Sequence, residues 1–301
     1  MKYIRRTSYN IKEDFTKNLL IDRHILNRDD REYSDKFFHP TLENECYPEL
    51  LDNIEEGYEL LMKHLMHEDR ILICIDPDVD GYTSAAVLYN YLNDVIKPYF
   101  NFSLEYHIPD GKEHGLRTLM SMFDTYDREY DLIIMPDSSS NDYEQHKILK
   151  EKGYDILVID HHLCEKYSEN AVVINNQLSK NYPNKDLSGV GVVYKFLEYI
   201  DYHFKKDYDN KLPQPCSRNY LDLVALGEIS DMMNMTSLEN RFICDVGLSN
   251  IKNKFFKELI EKQSYSIGEG ELTQIGVAFY ITPLINALIR VGSLSEKEKL
   301  F

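Results

Sequence analysis

"ICIDPDVDGYTSA" (residues 73–85) ends an apolar run with an aspartate at every second position, Asp76, Asp78 and Asp80, followed by a glycine. Crowded carboxylates repel one another, and burying them costs free energy unless counter-charge arrives. The pattern recurs further along. "DLIIMPD" (131–137) and "YDILVID" (154–160) are also apolar runs that stop at an aspartate, Asp137 and Asp160. "FSLEYHIP" (102–109) alternates like a strand, and "ENAVVIN" (169–175) is a further strand candidate. Between them, "YTSAAVLYNYLNDVI" (82–96), starting after Gly81, and "YEQHKILKEKG" (143–153) have helical spacing. Strands alternating with helices predict βαβ units. Runs apolar on both faces predict a sheet covered on both sides. The expected fold class is α/β: a mainly parallel sheet with helices on both faces, preceded by a helical N-terminal segment.

In such sheets ligands bind outside the carboxyl ends of the strands. Asp76, Asp78, Asp80, Asp137 and Asp160 would all arrive at that edge. Cations between them would make the crowding tolerable. Oxygen ligands suit magnesium or manganese, and an added imidazole tilts the choice to manganese. "VIDHHLCE" supplies imidazoles, His161 and His162, directly after Asp160. Adjacent histidines at a strand end point in different directions, so one can ligate a metal while the other faces a substrate. Asp160 is placed to orient the pair.

Other segments frame this edge. "YPELLDNIEEGYELLMKHLM" (47–66) predicts an amphipathic helix. "LSGVGVVYKFLEYI" (187–200) reads as a glycine-rich turn entering a helix. "YLDLVALGEISDMMNM" (220–235) is an apolar helix ending near Asp231, which is either a further metal ligand or simply a cap. "SLENRFICDVGLSNI" (237–251) predicts another helix. "IGVAFYITPLINALIRVGS" (275–293) is apolar but carries Asn286 and Arg290; the arginine either pairs with an interior carboxylate or binds phosphate. In "IPDGKEHGL", Lys112 and His114 either contact an anion or decorate a turn.

Composition narrows the class. The net charge of the 301-residue chain is −17, which argues against a generic polyanion binder. A nucleic-acid substrate needs metal ions or a local basic track to offset the acid. The five cysteines form no C-x-x-C pair, which fits reduced thiols in a cytoplasmic protein rather than a disulfide framework or zinc site. No run of about 18 consecutive apolar residues predicts a membrane span, and the N-terminus lacks a secretory h-region.

"DPDVDG", "MPDSSS", "IDHH" and "GEISD" stand in the order and rough spacing of the motifs of the DHH phosphoesterases. Flanking segments resemble RecJ-type single-strand exonucleases: "FFHPTLENECYPELLDNIEEGYELL", "LSGVGVVYKF" and "ITPLINALIRVG". The resemblance runs from about residue 18 to the C-terminus. It implies metal-dependent phosphodiester hydrolysis by a two-metal mechanism, most closely a 5′-to-3′ exonuclease on single-stranded DNA. Carried onto this chain, Asp76 and Asp78 serve one ion, Asp80 the other, and Asp137 bridges. His161 and Asp231 complete the second ion. His162 faces the scissile phosphate, and Asp160 orients the histidines. Lys112, His114, Asn286 and Arg290 are the candidate substrate contacts. The implied cofactors are two divalent cations, manganese preferred; the implied partners are single-stranded DNA or short oligonucleotides.

Two departures bear on grip of the nucleic acid. Lys112 is the nearest cation where these exonucleases carry an arginine, and Pro283-Leu284 stands where they carry Pro-Arg. The expected organisation is an N-terminal helical segment (1–65), a phosphoesterase core (66–235) and a helical segment (236–301) leading toward a second domain that this sequence does not contain. "GSLSEKEKLF" reads as a helix start with Ser295 and Glu298 as a capping box. This leads to the expectation of either a fragment or a protein whose other half comes from a partner. Two alternatives stay open: a phosphodiesterase of small substrates (oligonucleotide, cyclic dinucleotide or pyrophosphate), and a non-catalytic DNA-binding subunit on the same fold.

Overall fold

A computed structural model describes residues 15–109, 111–124, 129–207, 215–268 and 272–301, with backbone alone at 205–207. The apolar runs form five short strands: β1 (Arg70–Cys74), β2 (Ser103–His107), β3 (Leu132–Pro136), β4 (Asp155–Asp160) and β5 (Val172–Asn175). They make one sheet in the order β2-β1-β3-β4-β5, every pair parallel. Alternate side chains feed two cores. Ile71, Ile73 and Ile134 join the larger one, with Leu61, Leu88 and Val193; Leu72, Cys74 and Ile133 join the smaller, with Leu116, Phe123 and Leu149.

The helices follow in chain order. α1 (Phe15–Asp22), α2 (Arg31–Phe38) and α3 (Ile54–Met66) precede the sheet; α4 (Val79–Tyr91), α5 (Tyr143–Glu151) and α6 (Gly189–Asp207) lie among or just after the strands. α7 (Leu221–Ser230), α8 (Leu238–Ser249), α9 (Lys254–Lys262) and the short α10 (Ser264–Ile267) and α11 (Gln274–Gly276) come next. α11 runs through a π turn (Val277–Ile281) into α12 (Thr282–Val291), and α13 (Leu294–Leu300) follows. The run Gln274–Val291 is long and apolar enough to cross a membrane by length and composition alone. One face of it, Val277, Ile281, Ile285 and Ile289, is buried in the protein core.

Three local expectations need correction. α4 starts at Val79 rather than after Gly81, because the Asp78 carboxylate caps it by accepting from the Gly81 N–H at 2.9 Å. The helix expected over 47–66 is α-helical only from Ile54, with a separate 3-10 turn at Pro48–Leu50. Asn53 breaks it in a left-handed conformation (φ 62°), held by its side-chain N–H donating to the Val173 carbonyl at 2.8 Å. The last helix is capped by Ser293 and Glu296 instead of Ser295 and Glu298. Ser293 is the extended residue before the helix, and Glu296 Oε2 accepts from its N–H at 2.8 Å.

Candidate metal centre

The strand order sets the location. From β1 the chain crosses outward to β2, then returns past β1 to β3 and continues to β4 and β5. The crossovers thus diverge between β1 and β3, the switch point where open α/β sheets leave a crevice. Asp76 follows β1, Asp137 follows β3, and Asp160 ends β4. The α4 start places Asp80 in its first turn, where it is 2% exposed. Asp231 arrives as the C-cap of α7, which the left-handed Met232 (φ 56°) terminates.

These groups converge on His161. Its Nε2 lies 3.3 Å from Asp137 Oδ1, 3.5 Å from Asp231 Oδ2 and 3.8 Å from Asp80 Oδ2. Donor atoms of Asp80, His161 and Asp231 fall within 4.8 Å of one another, as do those of Asp76, Asp78 and His114. Asp160 is turned to the histidine pair. Its Oδ1 accepts from the His161 N–H (2.8 Å) and the His162 N–H (3.2 Å) and bonds His162 Nδ1 (2.7 Å), while Oδ2 accepts from the Ser140 N–H (3.0 Å).

The start of α6 reaches in from the opposite side. The Gly189 and Val190 N–H groups donate to the Asp80 carboxylate at 2.6 and 3.1 Å, a helix N-terminus meeting a negative charge. Only glycine fits at 189, because a Cβ there would come 2.2 Å from Asp137 Oδ1. Behind it, Glu228 on α7 is fully buried and accepts from the Ser188 N–H at 3.1 Å. Residue-type reasoning passed over Glu228 and these amides, although the glycine-rich turn before α6 was the available signal. Of the candidate substrate contacts, Lys112 and Arg290 are exposed, and Asn286 is half-buried with its Oδ1 unpartnered. His114 bonds Asp76 through Nδ1.

The electrostatics are lopsided. Burial, then Asp80, Asp78, Asp76 and Asp160, push the Asp137 carboxyl well above the usual range. Burial also raises Asp80, and burial with Asp80 raises Asp231 to about 6. Asp160 goes the other way: burial would raise it, but the bond to the His162 ring outweighs this and holds it below the usual range. The same bond raises His162 to about 9. Among the described residues, no lysine or arginine forms an ion pair with Asp76, Asp78, Asp80, Asp137, Asp160 or Asp231. Asp137 Oδ1 is buried without a hydrogen-bond partner. An orphaned carboxylate oxygen amid oxygen and imidazole donors suits divalent cations.

Comparison with known proteins agrees in fold and in motif region. The model of the DHH family, N-terminal domain, matches residues 70–228. The chain is 41% identical over 250 residues to the "Putative SPbeta prophage-derived single-strand DNA-specific exonuclease YorK" of Bacillus subtilis, covering 83% of this chain and 40% of that one. It is 29% identical to the single-stranded-DNA-specific exonuclease RecJ of the same organism, over 86% of this chain and 31% of that one. The chain therefore spans less than half the length of these curated relatives. Among solved structures, RecJ from Thermus thermophilus in complex with Mn2+ superposes with a TM-score of 0.66 at 25% identity, covering 88% of this chain and 36% of that one.

Proposed function

The chain belongs to the DHH family, and on that premise we propose that it is a metal-dependent phosphodiesterase that removes nucleotides from single-stranded DNA, as a RecJ-like exonuclease. The observation that carries this reading is the orphaned Asp137 Oδ1 at the switch point, ringed by acids that have no lysine or arginine partner among the described residues. Asp76, Asp78, Asp80, Asp137, His161 and Asp231 would hold two divalent cations, with manganese favoured by the imidazole. When bound, such ions neutralise charge on the phosphate and lower the pKa of water.

The chain's own groups then act around the phosphate. His162, with its pKa near 9, is protonated at neutral pH, and Asp160 fixes its Nδ1. Its ring thus presents a positive donor to a phosphate oxygen or a leaving oxygen. Asp160 also anchors both histidine backbone N–H groups, so the pair stays aligned at the strand end. The α6 N-terminus donates to the Asp80 carboxylate and offsets part of the rise that burial imposes on it. Lys112 and Arg290, both exposed, are the proposed contacts to the strand beyond the scissile bond.

The test uses manganese and 5′-phosphorylated single-stranded DNA labelled at its 3′ end, a dinucleotide in parallel, and Asp137→Ala as control. Stepwise shortening that vanishes in the variant is expected. Cleavage of the dinucleotide alone would move the assignment to a small-substrate phosphodiesterase. A cavity of about 520 Å³ beside His114, Ser138, Ser140 and His162 favours that second reading, being sized for one nucleotide. Binding of DNA without any cleavage in manganese would overturn both.

A further inference from the structure

The loop after β2 brings a second imidazole to the sheet edge. Gly115 at its root is in a left-handed conformation (φ 81°), and a Cβ there would lie 2.6 Å from Asp142 Oδ2. The next residue is pinned: the Leu116 N–H donates to Asp142 Oδ2 at 2.8 Å and to Ser139 Oγ at 3.1 Å. The Gly115 N–H points at Asp76 Oδ1 from 3.4 Å, and His114 Nδ1 bonds Asp76 Oδ2. The loop is thus tied to the β3 edge on one side and to the β1 edge on the other.

His161 already serves the Asp80 and Asp231 side. Among the described residues, His114 is the one imidazole grouped with Asp76 and Asp78, and the three donor atoms lie within 4.8 Å of one another. A divalent ion with bonds of about 2.1 Å spans trans donors about 4.2 Å apart, so one ion can draw all three in with sub-ångström movement. The buried, unpartnered Asp137 Oδ1, which feels the carboxylates of both groups, is independently an acceptor suited to a cation.

We propose that His114 is a metal ligand, donating Nδ1 to the ion held by Asp76 and Asp78, so that each of the two ions has one imidazole. This rests on the two-ion reading above. Binding then exchanges the imidazole–carboxylate bond for a shared ion, and any proton on Nδ1 is released to solvent. An imidazole on both ions makes the centre select manganese over magnesium more strongly than a site with one.

The experiment is calorimetric titration of the full chain and of His114→Ala with Mn2+ and separately Mg2+. Pulsed EPR of Mn2+-loaded protein with ¹⁵N-labelled histidine accompanies it, and a thermal melt checks the variant. The wild type should bind two Mn2+ and show coupling to two histidine nitrogens. His114→Ala should lose one coupling and weaken one of the two sites about ten- to a hundredfold for Mn2+, with a smaller change for Mg2+. Added free imidazole should restore the Mn2+ affinity. His114 is on an exposed loop, so the melt should stay near wild type. If wild type binds two Mn2+ but couples to one histidine nitrogen, His114 merely holds Asp76 and the proposal fails. Unchanged Mn2+ binding in the variant overturns it equally. A wild type that binds no Mn2+ removes the metal centre itself, a separate and visible failure.

Discussion

Two clusters of buried and half-buried acid, one at the N-terminus of α6 and one along its body, are built in opposite ways. At the sheet edge, Asp80, Asp137 and Asp231 face one another with a histidine but no lysine or arginine among the described residues. In the other cluster, Glu45, Glu198 and Glu239 each lie beside a lysine or arginine. Lys195 Nζ, completely buried, lies 2.6 Å from Glu198 and 3.1 Å from Glu239, and Arg218 lies 2.8 Å from Glu45. Tyr182 and Asn184 donate to Glu239, and Tyr194 donates to Glu45 and Glu198. Residue types alone do not separate the two clusters. What separates them is whether the chain supplies the counter-charge. Where it does, the acids tie the N-terminal segment and α8 to α6. Where it does not, the proposed cations would supply it.

The sharpest break between the clusters is the effect of removing one acid. Asp137→Asn removes a repelling charge from the sheet edge, and asparagine tolerates the left-handed backbone found there (φ 64°). Metal-dependent hydrolysis should fall by about three orders of magnitude or more, on the scale of losing an electrostatic stabiliser of the transition state. The metal-free protein should melt at the same temperature or higher. Glu239→Gln should do the reverse, keeping activity per folded molecule and lowering the melting temperature. If both variants destabilise equally, the contrast fails.

The second effect tests the served cluster from its cationic side. Lys195→Met leaves Glu198 and Glu239 buried beside an apolar chain, so it should cost about 3–5 kcal/mol in denaturant unfolding. A Lys195→Met/Glu239→Gln double variant should recover part of that loss, and the cycle isolates the pair. A loss below about 1 kcal/mol would mean the cluster is hydrated in solution.

Metal should act on one cluster only. Mn2+ at a hundredfold over its dissociation constant should stabilise the wild type by about 2.7 kcal/mol per bound ion, and Asp137→Asn far less. The pH dependence follows from Asp231, whose folded pKa near 6 exceeds its unfolded one. The folded, metal-free protein therefore binds the extra proton, so this group stabilises below the unfolded pKa and its contribution is lost as pH rises through about 6. Metal needs the ionised carboxylate, so stabilisation by Mn2+ should fade as pH drops below about 6. Melting curves at pH 5 and 7.5, with and without Mn2+, for wild type and Asp231→Asn, measure both limbs. Equal Mn2+ stabilisation at both pH values would remove Asp231 from the centre.

Much of this contrast was legible in the sequence, and for a definable reason. Apolar runs ending in aspartate are local patterns, so β1, β3, β4 and the edge they deliver could be read directly. His161 and His162 follow β4 without interruption, so their arrival at that edge was readable too. Asp231 was ambiguous because a helix-ending aspartate looks the same whether it caps or ligates. What could not be read is held by contacts distant in sequence. The amides of Gly189 and Val190 grip Asp80 from 109 and 110 residues away, and Cys46 N–H reaches Glu239 across 193. No periodicity reports such pairings. His114 was readable as a candidate substrate contact or a turn residue but not as a partner of Asp76, since the loop's path to Asp76 depends on Gly115 and Asp142 together.

The smallest expected effect sharpens the comparison by supplying a buried ionisable group that belongs to neither cluster. His146 on α5 is fully buried, and neither ring nitrogen has a hydrogen-bond partner. Burial, only partly offset by Asp142, lowers its pKa to about 4. An unfolded histidine titrates near about 6.5, so between those values the unfolded chain holds the extra proton. The protein should therefore lose stability as pH falls from about 6.5 toward 4, with a slope of at most about 1.4 kcal/mol per pH unit from this group. His146→Leu should flatten that limb and gain about 1 kcal/mol at neutral pH by removing unsatisfied polar atoms. It should leave Mn2+ affinity unchanged, which separates a merely buried group from one that waits for a cation. Chemical denaturation of wild type and variant at pH 4.5, 5.5 and 7 reads the difference. Parallel curves would mean that water reaches the ring. In that case orphaned atoms alone would not mark a site, and the weight placed on Asp137 would rest on its charged neighbours instead.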